Sequence, residues 1–370
     1  MKKEKIVLGM SGGVDSSVAA LLLKEKGYDV HAIFMKNWDD KHAICNSEDD
    51  FADASSVCKA LDIKLKKINY TKEYKNRVFN KFIQDHVEGF TPNPDVLCNR
   101  EIKFDVFRNY AKEIGADKIA SGHYARVVKQ NNSYFIKKAK DKNKDQSYFL
   151  YQLDGEIIKN LELPLGEINK GEVRKIAEEN SLATFEKKDS TGICFIGERK
   201  YNDFVGQFFK SKKGKIITVD GEDIGMHNGH MYFTVGQRKG LGIGAKNSAF
   251  DKPWYVFKKD IEKNIVYVAQ GSEHPALFSD ELIADNMFWN INSDKIFQLK
   301  CKAKVRYRDV DHSCKILSLN ENGCYVKFDN KIKAITCGQS IVLYDKNDVC
   351  IGGGIIRKRN VPFLGEEING

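Results

Sequence analysis

Along the first two hundred residues, short apolar runs alternate with stretches whose apolar positions recur every three or four residues. Ile6-Val7-Leu8 is an uninterrupted apolar run that predicts a buried strand. Val18, Leu21 and Leu22 then repeat at helical spacing up to Gly27, which suits a helix C-cap. Val30 to Met35 predicts a second buried strand. Ser47-Glu48-Asp49-Asp50 reads as an N-cap followed by first-turn acids, opening a helix through Ala60. Lys64 to Ile68 predicts a third strand, and Lys118-Ile119-Ala120 a fourth that ends at Ser121-Gly122-His123. This rhythm predicts an α/β fold with a doubly wound parallel sheet, its ligands bound at the C-terminal strand ends.

Beyond roughly residue 205 the period changes to two. Runs such as Lys215–Val219 and Trp254–Phe257 are separated by Asp, Gly and Asn turns. They continue as Cys301–Tyr307, Cys324–Phe328, Ile341–Tyr344 and Cys350–Ile356. The expected organisation is an N-terminal α/β domain over 1–204, a small β-rich bridging domain over 205–275 and a C-terminal β-barrel over 276–370. The lysine-rich stretch from Lys137 to Lys144 reads as a loop.

Composition narrows the partners. The 370 residues are 42% apolar, with no apolar run long enough to span a bilayer. The N-terminus enters the first strand at once, which predicts neither a signal nor a transit peptide and no membrane attachment. A net charge of +9 hints at an anionic partner, although solubility alone explains such a charge equally well. Nine cysteines with no C-x-x-C pair fit free thiols in a reducing cytoplasm and offer no metal motif.

The first helix begins in a glycine-rich loop, Gly9-Met10-Ser11-Gly12-Gly13-Val14-Asp15-Ser16. Gly12 and Gly13 allow a tight turn and close backbone approach, and the helix N-terminus behind them favours an anion. The loop has no lysine of the kind that grips terminal phosphates for γ-phosphoryl transfer. It resembles the Ser-Gly-Gly-x-Asp-Ser loop of the ATP pyrophosphatases, which implies cleavage of ATP between its α and β phosphates and adenylation of a substrate. Met35 and Gly122 fall at predicted strand ends, where adenine or ribose would lie; a lone Met is more commonly core.

Two cysteines stand in polar, turn-rich settings. Cys98 lies in TPNPDVLCNREIKF, three residues after Asp95 and close to Arg100 and Lys103. Cys194 lies in KKDSTGICFIGER, between Lys187-Lys188 and Arg199. Positive neighbours favour the reactive thiolate, whereas a buried free cysteine behaves as a small inert hydrophobe. At this point the sequence resembles the tRNA-specific 2-thiouridylases. GMSGGVDSS, NPDVLCNREIKF, SGHYARV, KDQSYFLY, KKDSTGICFIGER, VGQRKGLGIG and IGGGII occur in that family's order across nearly the whole chain.

The resemblance implies an enzyme that converts the wobble uridine, position 34 of certain tRNAs, to 2-thiouridine. Gly9 to Ser16, Met35 and Gly122 would bind ATP, with Mg²⁺ expected on its phosphates. Asn93, Pro94 and Asp95 would meet the target base, and Asp95 would orient it or shuttle a proton, or else merely cap the helix of Cys98. Cys98 would be the nucleophile and Cys194 the persulfide carrier, loaded by a sulfur-relay protein or a cysteine desulfurase. His123, Lys144, Asp145, Gln146, Arg306, Tyr307 and Gln339 would touch tRNA. One departure is Cys337, where the family usually has Pro before the Gly-Gln pair, which puts the local turn near Gln339 in question.

The barrel carries its own signal for RNA. In CKAKVRYR, alternation predicts Lys302, Lys304, Arg306 and Arg308 on one strand face, an array of about 20 Å by strand rise. A solvated face is the alternative, and Arg308 could pair with Asp309 or Asp311. Two other classes fit parts of the chain. A small-molecule ligase would use the same loop but needs neither paired thiols nor a basic barrel. A non-catalytic tRNA-binding protein would use the barrel but not the cysteines.

Overall fold

The computed structural model describes residues 3–38, 47–188, 201–209, 212–243, 252–292, 296–320 and 323–368. The chain divides into two compact units. One comprises Met1–Asn80, Pro94–Glu198 and Asp345–Ile351; the other comprises Lys81–Asn93, Arg199–Tyr344 and Gly352–Gly370.

In the first unit, β1 (Lys5–Gly9), α1 (Val14–Glu25), β2 (Asp29–Lys36), α2 (Ser47–Ala60) and β3 (Lys64–Asn69) follow the rhythm read from the sequence. α3 (Thr71–Tyr74) runs through a π-helical stretch (Lys75–Phe79) into α4 (Asn80–Val87), whose residues from Lys81 onward belong to the second unit. α5 (Pro94–Cys98) runs through a second π-helical stretch (Asn99–Lys103) into α6 (Phe104–Ile114). Then come β4 (Lys118–Ala120), β5 (Ala125–Gln130), β6 (Ser133–Lys138), α7 (Gly155–Lys159), β7 (Leu161–Glu162) and α8 (Lys170–Glu179). The main sheet has the order β3-β2-β1-β4-β7 with every pairing parallel. Ile6, Val7 and Leu8 of central β1 are completely buried, as a parallel strand covered on both faces requires. Strand order reverses between β1 and β4, so the loops leaving these two strands flank the crevice where such sheets bind ligands.

One expectation fails here. Lys137 and Lys138 are not loop residues but the end of β6, which forms a hairpin with β5. Asn131 and Asn132 close it with φ of 46° and 65°, as a type I′ turn demands. Lys138 is buried, its Nζ 3.7 Å from Asp348 Oδ1.

The second unit contains α9 (Tyr201–Val205), β8 (Gly214–Thr218), β9 (Asp223–His227), β10 (Trp254–Asp260) and β11 (Ile265–Gln270). The four strands form a sheet of order β10-β11-β8-β9 around Ile216, Phe233, Val256, Val266 and Val268. β12 (Phe278–Trp289), β13 (Lys300–Lys304), β14 (His312–Asn320), β15 (Gly323–Lys333), β16 (Ser340–Tyr344) and β17 (Cys350–Arg359) close into a six-stranded antiparallel barrel. Its inside is lined by residues such as Leu282, Ala303, Ile316, Val326 and Leu343, all fully buried.

The four-cation strand face is also corrected. β13 stops at Lys304, and the next residues turn rather than extend. Lys302 and Lys304 share a face of β13, but Lys304 is buried, as is Val305 beyond the strand end. Arg306 and Arg308 are exposed beyond the strand end. Asp309 pairs with Arg306, Nε to Oδ2 at 3.7 Å, rather than with Arg308.

Candidate active site

The glycine-rich loop joins β1 to α1 at the crevice. Gly12 has φ of +76°, and a Cβ there would stand 2.1 Å from the carbonyl oxygen of Asp50, so the turn needs glycine for reasons internal to the fold. Gly13 is different. It is the extended N-cap of α1, and a Cβ on it would meet only Ser11 Oγ, at an ordinary 3.5 Å. No side chain caps α1, which leaves its first-turn N–H groups directed at the crevice, where an anion would satisfy them. The serines brace the loop: Ser16 and Ser17 hydroxyls donate to Gly13 O at 3.0 and 2.9 Å, and Ser11 N donates to Ser16 Oγ at 3.2 Å. Met10 is buried and its N–H joins Ile33 O of β2, while Met35 is half-buried near the β2 end.

The loop after β4 packs directly on this cradle. A Cβ on Gly122 would lie 3.0 Å from Asp15 C and Ser16 N, so a larger residue would push the two loops apart. Tyr124, fully buried, donates its hydroxyl to Asp15 Oδ1 at 2.7 Å. The same carboxylate oxygen receives Lys170 Nζ at 2.6 Å. Lys170 opens α8, whose start is fixed by a capping box between Asn169 and Glu172. Gln146 locks Tyr124 from behind, accepting its N–H on Oε1 at 3.0 Å and donating its own N–H to Tyr124 O at 2.7 Å. Asp145 is buried and accepts from Ala139 N, Ser147 N and Ser147 Oγ. Asp145 and Gln146 thus build the turn behind the cradle, and Lys144, like Gln146, is half-buried.

His123 stands beside Ser121, whose Oγ is 2.7 Å from its Nδ1, and its ring is 6.0 Å from that of Phe104. Loss of solvent, aided by the nearby Lys103 charge, brings its pKa down to about 3. A neutral imidazole follows at any ordinary pH, so the ring offers hydrogen bonding or stacking rather than a positive charge.

Pro94, Asp95 and Cys98 share α5, with Asp95 and Cys98 one turn apart on the same face. Cys98 is buried, with only 1% exposure. Burial raises the pKa of Asp95, opposed by the Lys103 charge. A carboxyl so raised holds and releases a proton closer to neutral pH than an exposed one. Lys103 acts on both Asp95 and His123, and Phe104 packs on His123, so the junction of the π-helical stretch with α6 reaches the β4 loop. Cys194 lies outside the described residues.

Asn93, Arg306, Tyr307 and Gln339 belong to the second unit. Gln339 Nε2 donates to Thr91 O at 2.7 Å, two residues before Asn93. The turn questioned because of Cys337 is formed without proline: Gly338 adopts φ of +95°, and Cys337 O accepts from Thr91 N at 2.9 Å. Tyr124 and Lys170 escaped the sequence reading, the first inside a quoted motif and the second marked only by a helix start.

Three family models cover the chain in order: tRNA methyl transferase HUP domain over 4–198, tRNA methyl transferase PRC-barrel domain over 202–270, and aminomethyltransferase beta-barrel domain over 279–356. The tRNA-specific 2-thiouridylase MnmA of Francisella philomiragia is 50% identical over 359 residues, 96% of this chain and 100% of that protein. Its namesake in Salmonella typhimurium is 51% identical over 96% of this chain and 97% of its own. Among solved structures, the U34-tRNA thiolase NcsA of Methanococcus maripaludis aligns over 55% of this chain and 64% of its own at 20% identity, with a TM-score of 0.36.

Proposed function

Because the chain belongs to the tRNA-specific 2-thiouridylase family, we propose that its first unit activates O2 of the wobble uridine with ATP and then replaces that oxygen by sulfur. The protein is a tRNA sulfurtransferase. What carries the residue-level reading is the meeting of the uncapped α1 loop with the β4 loop and the helix of Asp95 and Cys98 around one crevice. Residues 1–204 would serve as the catalytic domain, 205–275 as the bridge and 276–370 as the tRNA-binding barrel.

Uracil O2 is a poor leaving group. Attack of O2 on the α-phosphorus of ATP expels pyrophosphate and leaves an adenylated oxygen that departs readily as AMP. Gly9 to Ser16 would hold the phosphates, with the first-turn N–H groups of α1 and the Lys170 ammonium stabilising their charge. Asp95 would take the proton that the base loses, a role its raised pKa suits. Among the described residues no group of three His, Cys, Asp or Glu could hold a metal ion. Asp15 of the loop would be the carboxylate to hold Mg²⁺ brought by the nucleotide, which would supply neutralisation of phosphate charge.

Sulfur would come as a persulfide on Cys194, supplied by a sulfur-relay protein or cysteine desulfurase. Either its terminal sulfur attacks C2 and Cys98 then displaces the product by forming a disulfide with Cys194, or Cys98 first releases hydrosulfide and forms the same disulfide. Two electrons from a thiol reductant restore both cysteines. Such chemistry suits a reducing cytoplasm, and no helix among the described residues is long and apolar enough to cross a membrane.

The test is nucleoside mass spectrometry of tRNA incubated with enzyme, ATP, cysteine and a cysteine desulfurase. 2-Thiouridine should form only with ATP. Cys194→Ser should carry no persulfide, whereas Cys98→Ser should carry it and yield no product. Near-full thiolation by either variant contradicts these roles.

A further inference from the structure

Lys187 is the seventh residue before Cys194 in the sequence, and its surroundings are built rather than merely solvated. Its Nζ lies 2.6 Å from Asp50 Oδ1 and 2.5 Å from Asp53 Oδ2, two carboxylates on successive positions of the α2 face. Its carbonyl, together with that of Phe185, accepts from Arg174 Nη1 of α8, each at 3.2 Å. Both helices also frame the cradle. Asp50 presents its backbone oxygen to Gly12, leaving no room there for a Cβ. Lys170, one turn before Arg174 on α8, presents its ammonium to Asp15. A ring of contacts therefore runs from the cradle through α2 to Lys187, and back through α8.

We propose that Lys187 is a positioning residue for sulfur transfer: held by Asp50, Asp53 and Arg174, it fixes the root of the Cys194 segment to the two helices that frame the cradle. The inference rests on Cys194 as sulfur carrier. Seven residues of chain span at most roughly 25 Å, so a fixed root confines the sulfur to that radius around Lys187. Confinement of this kind raises effective concentration and favours the attack geometry without touching the reacting atoms. A pair that only tied α2 to α8 would affect folding and nucleotide binding, but not the transfer step alone.

The experiment uses full-length enzyme loaded with persulfide by a cysteine desulfurase and cysteine, then mixed with ATP and tRNA in a single turnover. Lys187→Met should load sulfur normally and keep its KM for ATP within about twofold, while the rate of 2-thiouridine formation falls about tenfold or more. Lys187→Arg should recover most of the rate, since a guanidinium can bridge both carboxylates. Asp50→Asn with Asp53→Asn, nearly unchanged in shape, should reproduce the Lys187→Met defect and decides the matter if that variant does not fold. A transfer rate equal to wild type in a folded variant overturns the proposal. So does a KM for ATP that rises in step with the lost rate, with Arg no better than Met. A loaded wild-type enzyme that forms no 2-thiouridine would instead contradict the reaction assigned to the crevice.

Discussion

Lys170 Nζ meets Asp15 Oδ1 at 2.6 Å across 155 residues of sequence, so the cradle that lacks a lysine of its own receives one from a distant helix. The pair is only partly exposed, with side-chain accessibilities of 12% for Lys170 and 34% for Asp15. Without Lys170, Asp15 would place an uncompensated negative charge where the phosphates are expected. Lys170→Met should raise the KM for ATP by about tenfold or more while leaving persulfide loading intact, and Lys170→Arg should do less harm. Steady-state thiolation at varied ATP measures this; an unchanged KM would remove Lys170 from the nucleotide site.

Gly12 and Gly13 should fail in different ways. Gly12→Val sets a branched residue at positive φ against the Asp50 carbonyl, and should lower stability by at least roughly 1–2 kcal/mol. Gly13→Val meets nothing closer than Ser11 Oγ and should melt like wild type, yet lose ATP binding because its side chain fills the approach to the α1 N-terminus. Thermal melting with and without ATP separates the two. A Gly13→Val protein still stabilised by ATP would show that the phosphates lie elsewhere.

The barrel cations divide in the same manner. Arg306 and Arg308 are exposed, whereas Lys304 is largely buried. Arg306→Gln should reduce the slope of log tRNA affinity against log salt by roughly 0.7–0.9. Lys304→Gln should leave the slope unchanged and act on stability. Filter binding across a salt series reads both, and the reverse pattern would restore the single-face array that the strand end excludes.

Acid should weaken the fold through buried imidazoles. His86 on α4 is almost wholly buried, with Nδ1 2.8 Å from Phe82 O, and burial lowers its pKa from 6.5 to about 4. Unfolded chains therefore take up this proton before folded ones do. Its contribution is complete above pH 6.5 and is lost as pH falls through about 4. His123 acts in the same direction down to about 3. Denaturant unfolding at a series of pH values should show this decline, and His86→Gln should flatten part of it; a wild-type stability constant over that range would contradict the buried neutral state.

The parallel sheet was legible because its strands are unbroken apolar runs, and the cradle because glycine, serine and a helix start carry a local signal. The barrel was legible as a class, but strands β12 and β14 were missed. β12 mixes Asp280, Glu281, Asp285 and Asn286 with its apolar residues and contains bulges that break a period of two. The four-cation face failed because alternation was continued past Lys304, where buried Val305 begins a turn that propensity alone does not mark. Lys170, Tyr124 and Lys187 were not legible as site residues at all. Their partners are 155, 109 and 134 or more residues away, and only the sheet order brings them together.

The account turns on which bond of ATP is broken and on which oxygen leaves with it. tRNA carrying oxygen-18 at O2 of the wobble uridine should be thiolated with the label recovered in AMP and with unlabelled pyrophosphate released. Label in inorganic phosphate, with ADP as the other product, would contradict adenylation and the phosphate-binding role assigned to the α1 loop.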